Sequence, residues 1–161
     1  MTAALPLPTW LRSFLPTPRL GGRRTLIPLG PRHTPLQHNL TWNDESTELR
    51  FTSLRADAVC LFDVRNVSIE GGLITLSADL QSSDLAGDAW IAFTCHLPGG
   101  GSQVVELPYR RRSSDCAWTP IELKLLLRHN QRPTHITVSV LTEGPGRIAL
   151  RQSQLSCTPI L

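Results

Sequence analysis

The chain is short of aromatic rings, of lysine and of long apolar runs, and each shortage removes a class of function. Only nine of the 161 residues are aromatic: four Trp, four Phe and one Tyr. A ligand site built from stacked rings therefore has few residues to draw on, and each ring has to be accounted for individually. The longest aliphatic run, LKLLL at 123–127, is far short of the roughly 20 residues a bilayer-spanning helix needs. No transmembrane helix is expected. Lys124 is the one lysine beside fifteen arginines. The four cysteines, Cys60, Cys95, Cys116 and Cys157, include no CxxC pair, which argues against a zinc knuckle or a thioredoxin-like motif. Each lies in an apolar, strand-like stretch. That leaves two readings: thiols packed as small hydrophobes, or one or two disulfides in an oxidising compartment.

Motifs of catalysis are also missing. No GxSxG elbow occurs, and GGGSQ at 99–103 supplies glycines for a turn instead. His33, His38, His96, His129 and His135 show no HxxxH or HExxH spacing, and no phosphate-cradling glycine loop is present. Paired carboxylates for sugar hydrolysis depend on spatial approach, and here the acids fall mostly in turns. Asp79, Asp84 and Asp88 surround one loop and read as solvated. The chain is expected to be non-catalytic, with no cofactor and no metal.

What is present changes sharply near residue 38. Residues 1–38 hold Arg12, Arg19, Arg23, Arg24 and Arg32 with no acid, a charge of +5, and seven of the thirteen prolines. Residues 39–161 carry −2. The first segment reads as an extended Pro/Arg-rich arm, either a linker or an arm that docks on a partner or wraps its own domain. Trp10, Phe14, Leu26 and Ile27 are the apolar anchors for docking, with Arg23 and Arg24 beside them. Prolines break any continuous apolar stretch at the start, so it does not read as a secretory signal. It is Arg-containing and acid-free, as an organelle transit peptide is, but its density of proline argues against an amphipathic helix.

From residue 39 the period becomes two. In LITLSADL (73–80), Ile74, Leu76, Ala78 and Leu80 share one face. In AWIAFTCHL (89–97), Ile91, Phe93 and Cys95 share one face and Trp90 takes the other. IELKLLL and HITVSVL alternate in the same way, and RIALRQSQL closes the series after a Gly-Pro-Gly turn. About eight short strands separated by Gly, Pro, Asp and Ser turns predict an antiparallel β-sandwich.

The order of these segments resembles the carbohydrate-binding-module jelly rolls of the galactose-binding-like group. GLITLSADLQSSDLAG, DAWIAF, DCAWTPIELKLLL and HITVSVLTEGPGRIALRQSQL follow that group's sequence of strands and turns over about 100 of the 161 residues. The resemblance implies a jelly-roll fold and sugar binding. One departure is clear. The group's closing strand often carries acids, and here Arg151 and Gln152 stand in their place. Arginine supplies no oxygen to a hard cation, so a calcium site on this strand is not expected.

Sugar recognition needs an exposed ring with polar groups around it. Trp90, facing away from the predicted core, and Tyr109 are the candidate ligand residues. Trp90 also fits a protein interface or a surface covered by the N-terminal arm or a loop. Trp118 begins a core strand and reads as a packing residue. Arg110, Arg111 and Arg112 form either a solvated loop or an anion or partner contact. The negative charge of 39–161 argues against a broad nucleic-acid face. The expected organisation is an arm at 1–38 and a jelly-roll β-sandwich at 39–161. The expected function is carbohydrate binding without catalysis. The alternative is a structural or accessory subunit of a larger protein assembly, docked through the arm and one sandwich face.

Overall fold

A computed structural model describes residues 19–22, 25–110 and 116–161, apart from the side chains of 107–110 and 116. Ten strands run in chain order: β1 (Thr25–Pro28), β2 (Leu40–Trp42), β3 (Glu48–Ser53), β4 (Asp57–Arg65), β5 (Gly72–Ser83), β6 (Asp88–His96), β7 (Ser102–Arg110), β8 (Cys116–Leu127), β9 (His135–Thr142) and β10 (Gly146–Thr158). They form two antiparallel sheets. The first has the order β2-β3-β10-β5-β8, with β1 also on β10; the second has the order β4-β9-β6-β7. After β3 the chain changes sheet at every connection except β6–β7, which is the jelly-roll manner of closing a sandwich.

The period-two stretches become half-buried strands for the reason that predicts them. One face meets the other sheet and the other meets solvent. Ile136, Val138 and Val140 of β9 are fully buried, as are Phe93 and Cys95 of β6 and Ile74 of β5. Leu123, Leu125 and Leu127 of β8 and Leu155 of β10 complete the opposite wall. Each large side chain of this kind contributes about 1.5–3 kcal/mol by leaving water. The LKLLL run is strand and not helix. It ends at Leu127 because Asn130 takes a left-handed conformation (φ 65°). That turn is closed by Gln131, whose Oε1 accepts from the Arg128 N–H at 2.7 Å.

The first sheet starts before residue 39. Thr25–Pro28 pairs with Gln154–Cys157, the Leu29 N–H donates to the Ser153 carbonyl at 2.9 Å, and the Gly21 N–H donates to the Pro159 carbonyl at 2.8 Å. Ile27 packs on the core, whereas Leu26 stays 54% exposed. This part of the arm is thus laid along the sandwich as a short added strand.

Cys60, Cys95 and Cys157 are free thiols. Burial pushes the Cys95 thiol up to about 12, with Cys157 adding to the effect, and burial pushes Cys157 up to about 11. Both groups keep their proton more tightly folded than unfolded. Their stabilising contribution is whole below about pH 9 and is lost as the pH rises toward the folded values. The expected results are a melting temperature that falls between pH 9 and 11, and no reaction of either thiol with a disulfide reagent at pH 8 until the protein unfolds. Labelling of native Cys95 or Cys157 at pH 8 would contradict this.

Candidate functional site

The strongest grouping of polar and aromatic side chains lies on the outer face of the first sheet. Its register determines who meets whom. Arg151 of β10 is opposite Asp79 of β5 and Glu48 of β3; Ala149 is opposite Gln81 and Arg50; Arg147 is opposite Ser83 and Thr52. Past a bulge between Arg151 and Gln154, the outer side of β10 is taken by Gln154 and Ser156, opposite Ser77 and Thr75, and of these Ser156 and Thr75 are buried. Gln152 sits in that bulge with φ 53°. The extra residue shifts the alternation by one and re-aims the strand's second half.

Trp118 corrects its sequence reading. It is half-buried, and the Arg151 guanidinium lies 4.2 Å above its ring. It therefore belongs to the outer face and not to the core. It shares the even-numbered side of β8 with Glu122 and Lys124, opposite to the buried Leu123 and Leu125, so the alternation of the strand itself points it outward. Arg151 is steered by Asp79, whose Oδ2 accepts from Nε at 3.3 Å. The cation–π contact and the ion pair together hold both the ring and the guanidinium in place. Arg151, read from sequence as a lost metal ligand, is thus the link between the carboxylate and the ring.

Two depressions lie on the same sheet face, neither with Trp118 or Arg151 in its wall. One, about 550 Å³, is bordered by Ser77, Asp79, Glu122, Gln152 and Gln154. The other, about 280 Å³, is bordered by Glu48, Arg50, Thr52, Gln81 and Arg147, with Ala149 among them. Amides, hydroxyls, carboxylates and guanidinium groups on the same face as one ring can satisfy a dense set of hydroxyl groups.

A larger depression, about 590 Å³, lies where β1 meets the β4–β5 connection and is lined by Ile27, Arg32, His33, Asn66 and Glu70 among others. It has no Trp, Tyr or Phe in its wall. Two of its charges are already matched, Arg65 with Asp63 at 2.9 Å and Glu70 with Arg132 at 2.7 Å. Size alone does not recommend it over the sheet face.

The second sheet carries Trp90 outward and half-exposed, between Pro108 of β7 and Leu141 of β9. Tyr109 pairs with Ala89, one place out of step with Trp90, and its side chain lies outside the described ones. Arg110 ends β7 with its side chain likewise outside them. Trp10, Phe14, Arg23, Arg24, Arg111 and Arg112 lie outside the described residues. On the same sheet face, His96 and His135 stack at 4.0 Å, and His96 shares a hydrogen bond with Thr137 at 2.9 Å. Burial, then the neighbouring His135, holds His96 below the usual histidine range. Among the described residues no three His, Cys, Asp or Glu side chains are placed to hold a metal ion. No helix among them is long and apolar enough to cross a membrane.

No protein-family model matches the chain, and no curated protein matches it in sequence. Solved structures do match in fold. A family 16 carbohydrate-binding module superposes with a TM-score of 0.56 at 9% identity, covering 78% of this chain and 92% of that one. The VP2 protein of an infectious bursal disease virus subviral particle gives 0.59 at 11%, covering 99% of this chain and 37% of that one. An arabinose-bound α-L-arabinofuranosidase gives 0.52 at 12%, covering 89% of this chain and 23% of that one. This chain thus spans about a quarter to a third of the latter two. With the two antiparallel sheets and their crossings, these likenesses establish the fold: a jelly-roll β-sandwich like that of carbohydrate-binding modules.

Proposed function

We propose that the protein is a non-catalytic glycan-binding module whose binding surface is the outer face of the first sheet, centred on Trp118. One observation carries the reading. A half-buried indole on the outer face carries the Arg151 guanidinium, which Asp79 also holds, and two depressions with hydrogen-bonding groups in their walls lie on the same sheet face. Rings with polar groups beside them bind sugars because a sugar has apolar C–H patches and hydroxyl edges. The fold shared with a carbohydrate-binding module supports the reading without deciding it.

Gel electrophoresis through soluble polysaccharides tests it, with xylan, galactan, arabinan, β-glucan, polygalacturonate and dextran sulfate as the panel. Retardation by at least one polymer, with no release of reducing sugar, is the expected result. No retardation by any of them would overturn the reading. The site expected from sequence, Trp90 with Tyr109, is a rival location, and a Trp90→Ala variant in the same gels separates the two.

A second reading, an assembly subunit, is favoured by the apolar surface of the second sheet. Trp90 and Leu141 adjoin there, and Val104 is 51% exposed. Residues 1–38 and Arg110–Arg112 would add contacts. Removing 1–18, and not 1–38, is the informative truncation, because Thr25–Pro28 is a strand of the sheet. This reading predicts that a co-purifying partner is lost on that truncation, whereas retention of the partner would count against it.

A further inference from the structure

We infer that the glycan is anionic, its carboxylate or sulfate group held over Ala149; this rests on the glycan-binding reading above and names its ligand class. Arg147 and Arg151 stand two places to either side of Ala149 on β10, Arg50 is its partner on β3, and Gln81 is its partner on β5. Ala149 thus lies in the floor of a depression walled by Arg50, Arg147 and Gln81, with Glu48 beside Arg50, while the Arg151 guanidinium leans away over Trp118. Ala149 is 9% exposed, covered for the most part by its neighbours, and lines the depression of about 280 Å³.

The charges do not cancel here. Arg50 meets Glu48 through Nε at 2.9 Å, and Arg151 meets Asp79 through Nε at 3.3 Å. Neither uses its terminal nitrogens in a hydrogen bond among the described residues. Arg147 is exposed and has no carboxylate partner among them. Three guanidinium groups thus face two carboxylates, with planar donor forks left over. Such forks match the paired oxygens of a carboxylate or sulfate, and arginine does this better than lysine. A neutral sugar would leave those donors to water. Trp118 lies next along the face, through its contact with Arg151, so one ring of the glycan can lie near the indole while its charged group sits over Ala149.

The test compares four polymers: polygalacturonate as the carboxylated glycan, dextran sulfate as the sulfated one, dextran as the neutral one, and poly-glutamate as a polyanion without sugar. Either charged glycan is expected to bind at least tenfold more tightly than dextran and poly-glutamate, and which of the two wins identifies the acid group. Arg147→Gln and Ala149→Phe, both on the outer face, should each lower that affinity about tenfold, whereas Arg132→Gln, elsewhere on the surface, should not. Binding should weaken as salt rises. Equal binding of poly-glutamate, or unchanged affinity in both Arg147→Gln and Ala149→Phe, overturns the inference. Retention by neutral polysaccharides alone overturns it while leaving the glycan-binding reading intact. Retention by no glycan overturns both.

Discussion

Replacing Trp118 by alanine is expected to weaken glycan binding by tenfold or more, with little loss of stability. A central aromatic in a binding surface often accounts for about 2 kcal/mol or more, and each 1.4 kcal/mol is about tenfold in affinity. The indole is also the surface on which Arg151 rests. Its removal frees that guanidinium to follow Asp79 alone, so both the ring and the ordering of its neighbour are lost. The folded state should lose only about 1 kcal/mol, the scale of an exposed cation–π contact, because the ring is only half-buried and outside the core. Trp118→Phe keeps a flat ring and should recover much of the affinity. Trp90→Ala should leave it unchanged. Calorimetric titration of the three variants, beside their melting curves, checks this. If Trp118→Ala binds like the parent, the site is misplaced.

The largest stability effect is expected at Gly72. It opens β5 with φ +132°, a backbone region side chains avoid. A methyl group there would run into the Thr158 carbonyl oxygen and lie 3.1 Å from the Pro159 Cα. Both obstacles are backbone. Strand β5 is held on its two sides by β8 and β10, with Gly72 opposite Leu127 and Leu73 opposite Thr158, so neither strand can draw back without breaking ladder bonds. Gly72→Ala should cost about 3 kcal/mol, a fall in melting temperature of about 6–12 °C for a chain of this size. Gly99→Ala is the control. Its φ is +82°, but nothing lies within 4 Å of the added methyl, so only the left-handed penalty of about 1–2 kcal/mol applies. Equal losses at the two sites would show that conformation alone, without the close approach of β10, sets the cost.

The strands legible in the sequence are those whose two faces meet different environments. Ile74, Leu76, Ala78 and Leu80, and Ile136, Val138 and Val140, turn inward as their alternation predicts, and Trp90 turns outward for the same reason. The site was less legible because part of it depends on an irregularity in β10. Gln152 carries no residue signal for the left-handed bulge it occupies, yet that bulge decides which half of β10 faces the solvent with odd-numbered residues and which with even. Trp118 was legible and missed: it has the even-numbered parity of Glu122 and Lys124, opposite to the buried Leu123 and Leu125, so alternation along β8 points it outward. β1 was hidden for another reason. Four residues ending in proline form a strand only because β10 offers an open edge more than 120 positions later. The arginines around Ala149 likewise come from strands about 100 residues apart, a proximity no local spacing encodes. Arg151 was noticed in the sequence for what it could not do. The fold shows what it does instead, which is to join Asp79 to the indole.

The central claim is that ligand meets the face of the first sheet at Trp118, and the indole N–H resonances test it most directly. Trp10, Trp42, Trp90 and Trp118 give one signal each. They can be assigned by single replacement and followed by NMR while an oligosaccharide cut from the best-retained polymer is added. Our account has the Trp118 signal moving in proportion to saturation while the Trp90 signal stays fixed. Movement of the Trp90 signal with Trp118 unchanged would contradict it.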